Sequence, residues 1–212
     1  MNGNVETSKG LLLVVSGPSG AGKGTICKEF LKRRDNVYPS VSTTTRKPRK
    51  MEVDGVNYHF ISEDSFKELL ERDAFLEYAK VYGNMYGTTK NTVMAKINKG
   101  TDVLLEIEMQ GAKQVKEKYP DGIYIFILPP SLNDLKERIQ KRGSETPESM
   151  ENRLKSAFDE ISFIKEYNYY IINEEIENAV NVMDSIYIAE KSKVNVNIND
   201  VINRYKEEKA NA

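Results

Sequence analysis

Residues 11–25 read "LLLVVSGPSGAGKGT". Five apolar residues, Leu11 to Val15, run straight into a loop holding four glycines and Pro18, and a helical pattern follows from Lys23. An unbroken apolar run closed by a glycine turn is the pattern of a strand buried on both faces, as in a parallel sheet. Gly17, Gly22 and Lys23 occupy the fixed places of G-x-x-x-x-G-K. Such a loop needs glycine so that backbone N–H groups can close around phosphate oxygens. The following helix aims its positive end at the same anion, and the lysine adds a point charge. Gly17, Pro18, Ser19, Gly20, Ala21, Gly22, Lys23, Gly24 and Thr25 are therefore expected to hold the phosphates of a nucleotide. One place departs from the motif: Gly24, not Ser or Thr, follows the lysine, and Thr25 comes next. Thr25 is the candidate for ordering Mg2+, through water.

The rest of the composition narrows the field. The 212 residues suffice for one large domain or one domain with inserted lobes. Hydrophobic content of 39% with 30% charged residues suits a soluble globular chain. A net charge of -1 argues against a nucleic-acid coat or a polybasic membrane binder. A lone cysteine, Cys27, makes no internal disulfide and points to a reducing compartment. No apolar run approaches a membrane span, and "MNGNVETSKG" has no signal-peptide core. The expectation is a cytoplasmic protein without nucleic-acid or membrane partners.

Strand-like runs fall at 11–16, 37–42, 103–108, 123–128 and 169–173. Helical patterns fall at 23–34, 89–99, 110–118, 131–142, 147–166 and 175–191. Their alternation is the rhythm of an α/β fold with a parallel central sheet. Residues 43–88 break it and read as an inserted α+β lobe. Residues 131–155, with "KRGSETPES", read as a helical hairpin: Gly143 ends one helix, and Thr146 with Pro147 starts the next. The core is then 1–42, 89–130 and 156–212. Beyond about residue 192 the chain is polar, and the alternation in "VNVNIND" supports no assignment.

"SVSTTTRKPRK" places Arg46 and Arg49 just past a strand, among the hydroxyls of Ser42, Thr44 and Thr45. A planar guanidinium holds a phosphate through two hydrogen bonds, so the pair suits a monophosphate, with Tyr58 and Tyr86 as further donors. A solvated basic loop or a nucleic-acid contact is the plainer alternative for this stretch by itself. Glu106 and Glu108 close the strand in "VLLEIEMQG", at the carboxyl edge where parallel sheets bind ligands. His59 and Cys27 stand alone and suggest no chemistry.

Taken together, "SGPSGAGKGT", "SVSTTTRKPR", "DGVNYHFIS", "FLEYAKVYGNMYGTT", "EIEMQGAKQV", "IFILPPS" and "RGSETPES" resemble the guanylate kinase family in order and spacing, over roughly residues 10–190. The G-K-G-T ending agrees, since it occurs in several nucleotide kinases. The resemblance implies a three-layer P-loop core with a five-stranded parallel sheet, a GMP-binding lobe at 43–88 and a lid at 131–155. It implies transfer of the terminal phosphoryl group of ATP to GMP, giving GDP and ADP, with Mg2+ in attendance.

Residue by residue, the resemblance gives Glu77 the base. Guanine offers two adjacent donors, N1–H and the N2 amine, which one carboxylate accepts together. Adenine offers an acceptor at N1 and leaves that carboxylate unpaired, a large penalty. Ser42 and Thr88 match the hydroxyls near the base, and Arg46, Arg49, Tyr58 and Tyr86 match the clamp on the acceptor phosphate. Glu106 matches a base or water contact, although the family often has aspartates at 106 and 108. Gln110 and Gly111 follow the family pattern. Arg138, Arg142 and Arg153 match arginines that surround the transferring group, and Asn173 matches the adenine side. Two other readings stay open: a guanylate-kinase-like interaction module that has lost catalysis, and a kinase for AMP or dTMP.

Overall fold

The computed structural model describes residues 9–81, 83–141 and 157–211. Its centre is β1 (Leu12–Ser16), buried at all five positions. Because side chains alternate along a strand, Leu13 and Val15 enter one apolar core while Leu12 and Val14 enter another on the opposite face. On one face lie α1 (Lys23–Lys32) and α6 (Ile176–Lys191), contributing Ile26, Phe30, Val180 and Met183. On the other lie α3 (Lys90–Ile97) and α4 (Met109–Lys118), contributing Val93, Ile97, Ala112 and Val115. That is the three-layer arrangement the continuous apolar runs call for.

β2 (Val37–Pro39), β7 (Asp102–Glu106), β8 (Ile123–Leu128) and β9 (Tyr169–Ile172) complete a five-stranded sheet in the order β2-β7-β1-β8-β9. Every pairing in it is parallel. The order places β1 between strands reached by crossovers to either side, so its carboxyl end opens on a crevice. At the opposite, amino edge the buried Asp102 carboxylate gathers the Leu11 N–H (2.7 Å), the Tyr187 hydroxyl (2.6 Å) and Lys191 (3.1 Å), tying β7 to β1 and α6.

Between β2 and α3 the chain builds a second sheet, β4-β3-β6-β5, from β3 (Thr43–Thr44), β4 (His59–Phe60), β5 (Phe75–Val81) and β6 (Asn84–Thr89). The helix α2 (Glu63–Glu71) covers it, capped where Ser62 Oγ accepts the Ser65 N–H, and Phe66 stacks on Phe75 at 4.5 Å. The apolar run at 37–42 is therefore split: 37–39 pairs with β7, and the chain then leaves for the second sheet. α5 (Leu132–Lys141) packs Leu135 and Ile139 against Ala157, which lies in a helical segment described over 157–162. The expected turn and helix start at 143–147 lie outside the described residues.

Two further elements differ from the sequence reading. β9 buries Ile171 but exposes Tyr170 and Ile172, because an edge strand has cover on one face only. Residues 194–210 form a helix, α7 (Val194–Ala210). In "VNVNINDVINRY" the residues Val194, Ile198, Val201 and Tyr205 also recur at helical spacing, and the longer period prevails over the alternation.

Candidate active site

The glycine loop leaves β1 at the open crevice. At Gly17, with φ 144°, a Cβ would stand 2.2 Å from the Ile127 carbonyl oxygen, so β8 comes too close for any side chain. Gly22 caps α1 with φ 99° and no side-chain hydrogen bond. The first N–H groups of α1, on Lys23, Gly24 and Thr25, have no acceptor within the helix and form a positive mouth. Lys23 folds its ammonium over the loop, donating to the carbonyl oxygens of Gly17 (2.5 Å) and Pro18 (3.3 Å). Ala21 anchors two neighbours: Asn173 Nδ2 donates to its oxygen at 2.7 Å, and Arg138 of α5 reaches it at 3.4 Å. Arg138 also donates to the Asn173 carbonyl oxygen at 2.9 Å. Asn173 is buried, and its Oδ1 is left without a hydrogen-bond partner. Arg142 and Arg153 lie outside the described residues.

A second group of polar side chains is built on β5 and β6. A β-bulge between Phe75 and Glu77 turns successive residues inward, so Leu76 joins the core while Glu77 is also buried, at 4% exposure. Glu77 Oε1 accepts the Thr88 hydroxyl at 2.6 Å, and Thr88 Oγ1 lies 3.2 Å from Ser42 Oγ. The three residues assigned to the base thus form one chain of hydrogen bonds. Burial raises the Glu77 carboxyl to about 7, against the bond from Thr88 that favours its charged form.

The basic loop holds a surprise. Arg46 stacks over the Tyr58 ring (5.4 Å), Tyr58 meets Tyr86 edge to face (5.8 Å), and Arg46 Nε donates to the Tyr86 hydroxyl at 3.2 Å. Yet both terminal nitrogens of Arg46 bind Glu52, at 2.9 and 2.8 Å. Glu52 also accepts the Arg49 N–H at 2.7 Å, while the rest of Arg49 is exposed. These donors, Arg46 first, hold the Glu52 carboxyl down at about 2.

The turn from β7 into α4 joins the two groups. On one side the Glu106 carboxylate faces Gly24: a Cβ there would be 3.3 Å from Glu106 Oε1. On the other, Gly111 faces Glu77. Glu106 is open to solvent in the crevice but walled by protein, and desolvation raises its pKa while Lys23 draws it back and Glu108 raises it again.

Sequence reasoning missed Glu52 and Glu160. A single glutamate within the basic run 46–52 was the available signal for the first. Nothing local marks the second: Glu160 sits on the 157–162 segment, its Oε2 is buried without a partner, and desolvation lifts the carboxyl to about 7, with Glu108 raising it and Lys23 lowering it.

Comparison with known proteins covers both groups of residues. The family model described as guanylate kinase matches residues 9–190. A guanylate kinase of Clostridioides difficile (strain 630) is 57% identical over 200 residues, spanning 94% of this chain and 98% of that protein. One from Clostridium acetobutylicum is 56% identical over 188 residues, spanning 89% and 90%. The crystal structure of guanylate kinase from Anaplasma phagocytophilum superposes with a TM-score of 0.77 at 33% identity, covering 92% of this chain and 95% of that one. Because the likeness spans the strand before the glycine loop, the second sheet and the last helix of the core, the chain belongs to the guanylate kinase family and is a nucleoside monophosphate kinase.

Proposed function

We propose that this kinase carries the terminal phosphoryl group of ATP to GMP, releasing ADP and GDP in the cytoplasm. One observation carries the reading: a buried carboxylate, Glu77, bonded at 2.6 Å to Thr88, stands across the β7–α4 turn from a phosphate-binding loop. A carboxylate held from one side by a hydroxyl keeps lone pairs for the N1–H and N2 amine of guanine. The buried free thiol of Cys27 suits a reducing compartment.

The roles divide by position. Backbone N–H groups from Gly17 to Thr25 and the Lys23 ammonium hold the phosphates of ATP, and Asn173, bonded to the Ala21 carbonyl oxygen, braces the loop on the adenine side. Ser42, Thr88 and Glu77 hold the guanine, while Arg46, Arg49, Tyr58 and Tyr86 hold its phosphate. Thr25 and Glu106, hard oxygen donors beside the loop, fit a hydrated Mg2+, which needs few protein ligands when phosphates supply the rest. When bound, Mg2+ neutralises charge on the outer phosphates. An oxygen of the GMP phosphate attacks the γ-phosphorus, and the bond from that phosphorus to the β–γ bridging oxygen breaks, leaving ADP. The protein's work is alignment and charge, supplied by Lys23 and by Arg138, Arg142 and Arg153. Closing the site keeps water from taking the phosphoryl group. Among the described residues no helix is long and apolar enough to cross a membrane. Turnover with GMP, and not with AMP, UMP or dTMP, is the test.

A further inference from the structure

Gly111 is the third residue of α4, and its φ is not among the positive ones. Alanine would fit the same backbone and would be the better helix former. The reason for glycine lies across the turn. A Cβ on Gly111 would stand 2.2 Å from Glu77 Oε2, 2.9 Å from its Cδ and 3.3 Å from its Cγ, and these are the three nearest atoms. Rotating the carboxylate alone does not relieve contacts that reach back along the side chain. Nor is Glu77 free to withdraw: it is buried, and Thr88 holds its other oxygen at 2.6 Å.

We propose that Gly111 is a specificity-determining positioning residue. Its bare backbone is the notch that sets the depth and tilt of the Glu77 carboxylate, and so the selection of guanine among purine monophosphates. This rests on the reading of Glu77 as the acceptor of guanine N1–H and N2. A methyl group at 111 drives the carboxylate off Thr88 and out of the plane in which it accepts two parallel hydrogen bonds. The glycine loop is untouched, because none of the nearest contacts at 111 belongs to it.

The experiment compares the unaltered protein with Gly111→Ala, Glu77→Ala and the double variant, by calorimetric titration with GMP and with ADP and by thermal melting. Gly111→Ala is expected to weaken GMP binding by tenfold or more while ADP binding stays within twofold. It lowers Tm in the unaltered background and raises Tm in the Glu77→Ala background, where the notch is vacant and helix propensity decides. If Gly111→Ala does not fold, the double variant carries the test, and its Tm must exceed that of Glu77→Ala. Undiminished GMP binding by Gly111→Ala, with binding lost in Glu77→Ala, overturns the positioning role and leaves the base reading intact. Undiminished GMP binding by Glu77→Ala overturns the base reading, and the proposal with it. A fall in Tm in both backgrounds means that Gly111 serves packing alone, which also overturns the proposal.

Discussion

Arg46 and Glu52 clasp each other through two parallel hydrogen bonds, 2.8 and 2.9 Å, in the loop that leads out of β3. The arginine expected to meet a phosphate thus already holds a carboxylate. With Nε on Tyr86 and a further bond to the Lys47 carbonyl oxygen, four of its five N–H groups are engaged. The arrangement fixes the plane of the guanidinium and leaves one donor to offer.

Removing that brace should loosen the clamp. Glu52→Ala is expected to raise the KM for GMP roughly tenfold, the worth of about one charge-assisted hydrogen bond, with kcat nearly unchanged. Steady-state kinetics in GMP checks it. A lowered KM would mean that Glu52 competes with the phosphate instead of orienting Arg46.

Glu77 makes both binding and stability depend on pH. Its carboxyl, ordinarily near 4.5, titrates at about 7 in the folded protein because of burial. Between these values the folded state keeps a proton that the unfolded state has lost, so stability falls as pH rises from about 4.5 to about 7 and then levels off. As the proposed acceptor of the guanine donors, Glu77 must be ionised, so GMP affinity should rise through neutral pH. The phosphate of GMP titrates nearby, and Glu77→Gln isolates that contribution. The variant is expected to bind GMP weakly, with a shallower pH dependence and a flatter stability profile. Identical pH profiles for the two proteins would contradict the role.

Gly24, which stands where the loop motif has Ser or Thr, faces Glu106 across the crevice. A side chain at 24 would crowd the Glu106 carboxylate at 3.3 Å; a shorter acid at 106 would make room. Gly24→Ser is expected to lower kcat/KM for ATP roughly tenfold, with Glu106→Asp restoring most of the loss, a coupling of about 1.4 kcal/mol. Additive effects in the double-mutant cycle would show that the two positions vary independently.

The core sheet was legible because its signals are local. β1, β7 and β8 announce themselves as apolar runs, and the glycine loop follows β1 directly in the chain. Glu77 was legible only through its surrounding motif, since burial comes from a bulge and from a helix more than thirty residues on. The docking of Arg138 on Ala21 and Asn173 joins segments 117 and 35 residues apart, and no local pattern encodes it. Glu52 was hidden for a different reason: a charged residue in a charged loop looks solvated until its partner is known. The helix at 194–210 was hidden because a short apolar alternation satisfies two periods at once.

The most direct test of the account is ADP formation from ATP and Mg2+ with GMP, AMP, UMP or dTMP as the sole acceptor, with Lys23→Ala alongside. The account predicts turnover with GMP far above the other three, and a loss of roughly 10²–10³-fold in the variant. Equal turnover with AMP, or undiminished turnover without the Lys23 ammonium, would contradict it.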